Sequence, residues 1–261
     1  MNQMAVFFSS LQLRNAILYW LGWFCVAGMF VCMGLVLSTQ AQVMGINAYI
    51  KPVKFLASTG ILCWTMTWYM AELPQKSRVR AYSWMFVVVF IFELGIVIGQ
   101  ASRGKLSHFN ISTPLNAMLF SLMGVAITVF TVWTAYIGFL FFRLKTTSIS
   151  PAYLWGIRLG MLLFVMFAFE GFLMAGQLAH TVGAADGGAG LPVTNWSTRY
   201  GDLRVAHFFG MHALQLIPLF GYYIARRPWQ VIVASAVYFL LVTGLLMQAL
   251  AGKPLLANLG Q

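Results

Sequence analysis

The sequence predicts an all-α integral membrane protein, a bundle of seven transmembrane helices with a cytoplasmic N-terminus. Of its 261 residues, 61% are hydrophobic and only 8% are charged. Soluble domains carry about 25% charged residues, so this chain has too few charged side chains to cover a water-soluble globule. Its hydrophobic residues form seven runs of about 20 residues, the length that crosses a bilayer as a helix.

The seven runs are expected to form one polytopic domain covering residues 1–261. The predicted spans lie near 15–37, 53–72, 81–101, 115–142, 152–179, 204–225 and 229–250. Arg14 precedes the first run, which is longer than the apolar core of a cleaved signal peptide. We therefore expect the first span to remain in the mature protein.

The placement of Lys and Arg predicts which end of each span faces the cytoplasm. Nine of the 16 Lys and Arg residues fall on the side of the N-terminus. Two clusters there, Lys76–Arg78–Arg80 and Arg226–Arg227, lie in short loops, where basic residues influence orientation most. We expect a bacterial inner-membrane protein with its N-terminus inside. The long outer loops would then be 38–50, 102–114 and 181–203.

The net charge of +11 does not indicate a nucleic-acid partner, because Lys and Arg lie at the ends of apolar runs and are expected to contact lipid headgroups. The expected partners are the lipid bilayer and a small or lipophilic substrate, and an oligomer or larger complex remains open. Cys25, Cys32 and Cys63 lie within apolar runs without C-x-x-C spacing. They are expected to pack between helices.

Two acidic residues fall inside predicted spans, Glu93 in the third and Glu170 in the fifth. In each case Phe precedes the Glu, and a Gly-Gln pair ends seven residues later, at Gln100 and Gln177. Seven residues are two helical turns, so Glu and Gln share a helix face, and both carboxyls would lie about 15 Å below the outer helix ends. The match is either an internal duplication or a coincidence.

All four histidines also map to the outer half of the predicted bundle. They are His108, His180, His207 and His212. His212 is expected at about the depth of the two glutamates, with Gln215 on a neighbouring part of the same face. His207 is five residues earlier, about 140° around the helix. We therefore expect His212 to point inward and His207 to lie at the rim.

Carboxylates and imidazoles gathered in an apolar environment are typical ligands of transition metals. The first functional hypothesis is therefore a metal-dependent membrane enzyme, redox or hydrolytic, using iron, copper or zinc. Its expected ligands are Glu93, Glu170, His212, His180, His207 and His108. Its expected second shell is Gln100, Gln177, Gln215 and Asp202. Haem b is a less favoured cofactor, for which His180 and His207 form the only suitable pair.

Polar residues next to the spans have simpler interpretations. Asp202 is well placed to cap the sixth span, and the alternative is that it orients His207. Arg204 is expected to reach the lipid headgroups. Lys54, at the start of the second span, is expected to anchor that helix at the membrane surface, and the alternative is that it pairs with an anionic lipid or substrate group.

Two other classes of function remain open. Glu93 and Glu170 could exchange protons in a proton-coupled carrier, with the outer histidines as relays. The polar cluster could also be a purely structural network in a sensor or a subunit of a membrane complex. We find no motif for nucleotide binding, metalloprotease or hydrolase chemistry in the sequence.

Overall fold

A computed structural model describes residues 3–145 and 148–256 of the protein, and most of them are helical. The helices are α1 (Gln3–Arg14), α2 (Ala16–Ser38), α3 (Ile50–Met70), α4 (Lys76–Ser102), α5 (Pro114–Arg143), α6 (Pro151–Phe169), α7 (Gly171–Gln177), α8 (Leu203–Tyr223) and α9 (Pro228–Leu250). Two short antiparallel pairs lie in loops: β1 (Gln42–Val43) with β2 (Ile46–Asn47), and β3 (Thr181–Val182) with β4 (Gly201–Asp202).

Helices occur at all seven predicted positions, and five of them are long and apolar enough to cross a membrane. These five are α2, α4, α5, the continuous segment of α6 and α7, and α9. The chain is thus an all-helical, multi-pass membrane protein by its structure as well as its composition. The helices α3 and α8 have 21 residues each and are not among the five. Helix α3 carries Lys51 and Lys54, and helix α8 carries Arg204, His207 and His212.

The N-terminal helix α1 was not among the predicted spans. It ends at Arg14, and Asn15 then caps α2, because its Oδ1 accepts a hydrogen bond from the Leu18 N–H at 3.2 Å. Asn15 Nδ2 also donates to Ser83 Oγ of α4 at 2.7 Å. The polar residue between two apolar helices therefore satisfies a helix end and ties it to a third helix.

The described chain divides within α5 into two compact units, unit 1 up to Trp133 and unit 2 from Thr134. In unit 1, α2 and α3 pack closely because glycines lie at their contact. A Cβ on Gly60 would lie 3.6 Å from the Gly22 carbonyl oxygen. Cys25 and Cys63 are buried there as free thiols, which agrees with the expected packing role.

In unit 2, the backbones of α6 and α8 are almost in contact. A Cβ on Gly156 would lie 2.8 Å from Pro218 Cα, and one on Gly160 would lie 2.9 Å from the Ala213 carbonyl oxygen. Only glycine permits so close an approach without displacing backbone. This contact fixes α8 against α6 and thereby places the polar residues of α8 beside the end of α6.

Candidate functional sites

The buried carboxyl of unit 2 lies at an interruption between two helices. Glu170 separates α6 from α7 and is 6% exposed. Within residues 3–145 and 148–256, neither of its carboxyl oxygens has a hydrogen-bond partner. The Leu173 N–H donates to the Glu170 carbonyl at 2.9 Å, a bond three residues long that marks a tightened turn. The carboxyl is therefore an unusually unsatisfied buried group.

His207 of α8 approaches this carboxyl. Its Nδ1 lies 3.7 Å from Glu170 Oε2 and donates a hydrogen bond to the Phe167 carbonyl oxygen at 2.8 Å. In an uninterrupted α-helix that carbonyl would accept from the N–H of Gly171. The imidazole thus competes with the helix at this point, and glycine is in addition a poor helix former.

The apolar segment Pro151–Gln177 coincides with the expected fifth span, but the helix face that Glu170 and Gln177 were expected to share is interrupted. The helix is interrupted at Glu170, and α7 ends at Gln177, where Leu178 adopts a left-handed conformation with φ 52°. Gln177 is exposed, and its Nε2 donates to the Ala179 carbonyl at 3.0 Å. The Gln177 side chain therefore bonds the backbone just beyond the C-terminal end of α7.

His180 is held by an aspartate that sequence reasoning did not select. Asp186 Oδ2 lies 2.6 Å from His180 Nδ1 and accepts the His180 N–H at 2.9 Å, while Oδ1 accepts the Thr181 N–H at 2.8 Å. Burial raises the pKa of Asp186, but these hydrogen bonds and the charge of His180 outweigh it and hold the pKa well below its ordinary value. The sequence showed only an Asp in a glycine-rich loop, a common turn signal.

The four groups form a series within unit 2. Asp186 contacts His180, and Glu170 contacts His207. The two histidines are close enough to interact electrostatically. An ionised, partly exposed carboxylate and a buried carboxyl thus each lie beside one of two interacting imidazoles. Imidazole can both accept and donate a proton, so this arrangement has the chemistry of a proton relay.

Asp202 is the N-cap of α8, as one of the two sequence interpretations proposed. Its Oδ1 accepts from the Arg204 N–H at 3.1 Å and from Arg204 Nε at 2.9 Å, and its Oδ2 accepts from the Ser197 N–H at 2.8 Å. The alternative role, orienting His207, is filled by the Phe167 carbonyl. Arg204 binds Asp202 and the Asn195 carbonyl, and its expected contact with lipid headgroups stays a prediction.

The expected orientations of the two histidines of α8 are also reversed. His207 contacts the buried carboxyl, whereas His212 Nδ1 donates to the Phe208 carbonyl of its own helix at 2.7 Å. The ring of His212 packs on that of Phe208, with the centroids 4.1 Å apart. Gln215, expected near the same site, is half-buried on α8. The contact of α6 with α8, invisible in the sequence, sets these orientations.

Unit 1 contains the second buried carboxyl. Glu93 and Gln100 of α4 are 5% and 3% exposed. Across the described part of the chain, Glu93 Oε1 and Gln100 Oε1 have no hydrogen-bond partner. Gln100 Nε2 donates to Asn116 Oδ1 of α5 at 2.9 Å, and Asn116 Nδ2 donates to Ser112 Oγ at 3.1 Å. The expected shared face of Glu93 and Gln100 is buried in unit 1.

Lys51 of α3 lies on the same side of unit 1. Its Nζ is 3.2 Å from His108 Nδ1, and its charge acts on the Glu93 carboxyl. Ser107 Oγ lies 3.1 Å from the same imidazole nitrogen. Lys51 therefore interacts with a histidine and with a buried acid.

The predicted metal ligands are distributed over the two units, with Glu93 and His108 in unit 1 and Glu170, His180, His207 and His212 in unit 2. Among the residues that the structure describes, no three His, Cys, Asp or Glu side chains form a group that could hold a metal ion. Iron, copper, zinc or haem binding remains a prediction.

Comparisons with known proteins add no function. No family model matches the chain, and no curated protein or solved structure matches it. The arrangement of the side chains themselves is thus the basis for the proposals below.

Proposed function

We propose that the protein is a proton-coupled carrier of the bacterial inner membrane. Seven spans are proposed, because α3 and α8, at 21 residues each, match the roughly 20 residues that a span requires. The polar side chains of these two helices have partners within their own units, which reduces the cost of placing them in a bilayer. The basic clusters of the short loops support a cytoplasmic N-terminus.

The observation that carries the proton-coupled function is the state of Glu170. Its carboxyl is buried, lacks hydrogen bonds at both oxygens in the described structure, and lies 3.7 Å from an imidazole nitrogen. An ionised carboxylate in this position would be poorly stabilised. A protonated carboxylic acid is neutral, so binding and releasing a proton changes the charge inside unit 2, as a proton-driven carrier requires.

The series of side chains supplies a route for that proton. Asp186 and His180 lie in the loop region before α8, where a proton can be taken from water. His180 can pass it to His207, and His207 can pass it to the carboxyl of Glu170. Each imidazole accepts a proton at one ring nitrogen and donates it from the other.

Infrared spectroscopy over a pH series tests this proposal on purified, reconstituted protein. The wild type should show the carbonyl band of a buried carboxylic acid that disappears on titration, and Glu170→Gln should remove one such band. Glu72→Gln is the matched control, because Glu72 pairs with Arg14 at 3.2 Å near the surface. An unchanged band in Glu170→Gln would refute Glu170 as the proton site.

The carried molecule can then be sought with the same pair of proteins. Vesicles loaded with a pH-sensitive dye should change internal pH when the substrate is added to wild type, and not when it is added to Glu170→Gln. Equal responses of the two proteins would show that transport does not use this carboxyl.

A metal-dependent enzyme is the second candidate, and the tautomers of the two histidines favour it. Both His180 and His207 use Nδ1 for hydrogen bonds to protein acceptors, the arrangement in which Nε2 binds a metal. Elemental analysis and an optical spectrum of unchelated protein test this idea. Metal retained by wild type and lost in His207→Gln supports it, whereas metal-free wild type excludes it.

A further inference from the structure

Unit 1 holds a polar site that the proposed proton route of unit 2 does not use. Glu93 and Gln100 are seven residues apart on α4, two turns along one face. Both side chains are more than nine-tenths buried, and each has an oxygen without a hydrogen-bond donor anywhere in the described residues. Two such acceptors, about 10 Å apart along one helix face, call for donors from outside the chain.

The donors surrounding these oxygens are already engaged. The Gln100 amide donates to Asn116, the Asn116 amide donates to Ser112, and the Ser112 hydroxyl donates to Asn110 Oδ1 at 2.7 Å. This chain of hydrogen bonds fixes the orientation of the Gln100 amide, so that its oxygen is the atom presented to the site. The site therefore accepts hydrogen bonds.

Aromatic rings surround His108, the histidine that contacts Lys51. The His108 ring is 5.5 Å from that of Phe55 and 6.4 Å from that of Phe120, and Phe109 is 5.4 Å from Phe120. All four residues are half-buried, so part of each ring is available for contact. Lys51 Nζ lies 5.6 Å from the centre of the Phe55 ring, which places a cation at the same edge.

The surroundings define the class of ligand. Because α4 is one of the helices apolar enough to cross a membrane, a ligand reaching Glu93 must dissolve in lipid. The aromatic rings favour an aromatic body, since rings pack well against each other in offset or edge-on arrangements. The two acceptors favour hydroxyl donors, and a phenolic O–H to a carboxylate makes a strong, charge-assisted hydrogen bond.

We propose that unit 1 binds a membrane-soluble phenol of the quinol class, with one hydroxyl donating to Glu93 Oε1 and a second donor satisfying Gln100 Oε1. The aromatic ring of the ligand packs against Phe55, Phe109 and Phe120, and Lys51 lies near its oxygen. This site is independent of Glu170, so the proposal stands or fails separately from the proton route.

Binding of a decyl-substituted benzohydroquinone to the full-length protein in nanodiscs tests the proposal. The matched control probe is its dimethyl ether, which has the same ring and tail and no hydroxyl donor. Saturable binding of the hydroquinone at least about tenfold tighter than binding of the ether is expected, the difference of one hydrogen bond to a charged acceptor. Equal binding of the two probes, or no saturable binding, would overturn the proposal.

Variants locate the site on the chain. Glu93→Gln should weaken hydroquinone binding about tenfold, and Glu72→Gln should leave it unchanged. If Glu93→Gln does not fold, Gln100→Met keeps the side-chain length, removes the second acceptor and should also weaken binding. Wild-type affinity in whichever of the two variants folds would show that the hydroquinone binds elsewhere.

Discussion

The two units each bury one glutamate in a similar stretch of sequence but surround it differently. In unit 1, α4 continues through Glu93, and a lysine acts on its carboxyl. In unit 2, the helix is interrupted at Glu170, and a neutral or charged imidazole lies beside the carboxyl. Unit 1 thus places a cation near its buried acid, whereas the imidazole of unit 2 can accept and donate a proton. The same short motif therefore serves different chemistry, depending on the residue that approaches it from another helix.

The loops on the proposed outer side differ in the same way. Asp186, a carboxylate, holds the loop after α7 by accepting the N–H groups of His180 and Thr181. Asn110, a neutral amide, holds the loop after α4 by accepting from the Ser112 N–H at 3.2 Å. One loop depends on an ionised group, and the other does not.

The largest expected difference between the units concerns the membrane side of two loops. Cysteine introduced by Gly188→Cys, in the unit 2 loop, should react fully with an impermeant maleimide added outside intact cells. Cysteine introduced by Ser77→Cys, before α4 in unit 1, should react only after the membrane is opened. The three native cysteines are buried, so background labelling should be low. The opposite result would invert the proposed topology.

Two glycines test the contrast in helix packing. Gly160→Ala places a Cβ 2.9 Å from the Ala213 carbonyl oxygen, so we expect a loss of about 2–3 kcal/mol in the free energy of unfolding. Gly99→Ala in α4 meets no atom within 4 Å and should be neutral or stabilise by up to about 1 kcal/mol. Unfolding in mixed detergent micelles measures both. Similar values for the two variants would contradict the close contact of α6 and α8.

Two acid–arginine pairs provide a smaller difference. Asp202 is fully buried beside Arg204, whereas Arg14 and Glu72 remain partly exposed. Asp202→Asn should cost about 2 kcal/mol, because it removes the charged partner of the Arg204 guanidinium while keeping a helix cap. Glu72→Gln should cost less than about 1 kcal/mol. Chemical unfolding of both variants checks the ratio, and a silent Asp202→Asn would show that the residue acts as a simple cap.

The smallest effect is a pH dependence of one loop. The pKa of Asp186 is lower in the folded protein than its ordinary value, so its contribution to stability is present above that ordinary pKa and is lost as the pH falls below it. Hydrogen exchange of the Thr181 region should therefore accelerate, by about 1–2 kcal/mol of lost protection, below about pH 4. The region of Asn110 should show no such change. Parallel acid dependence in both loops would refute the assignment.

Much of the fold could be predicted from the sequence because apolar run length and basic flanks are local signals. All seven predicted spans coincide with helices, and the buried positions of Glu93 and Glu170 were correctly expected. The interruption at Glu170 could not be predicted, since it depends on a hydrogen bond from His207, forty residues away. Asp186 was missed because its role comes from loop conformation, which leaves little pattern in a sequence.

The glycines between α6 and α8 have a consequence for the biogenesis of the protein. On the proposed topology, α8 must enter the bilayer although Arg204, His207 and His212 make it less apolar than its neighbours. Helix α6 is synthesised first, and its glycine surface offers α8 a close-fitting partner that shields part of its polar side from lipid. On that topology, insertion of α8 would be cooperative, because a helix inserted earlier would act as the template for a later one.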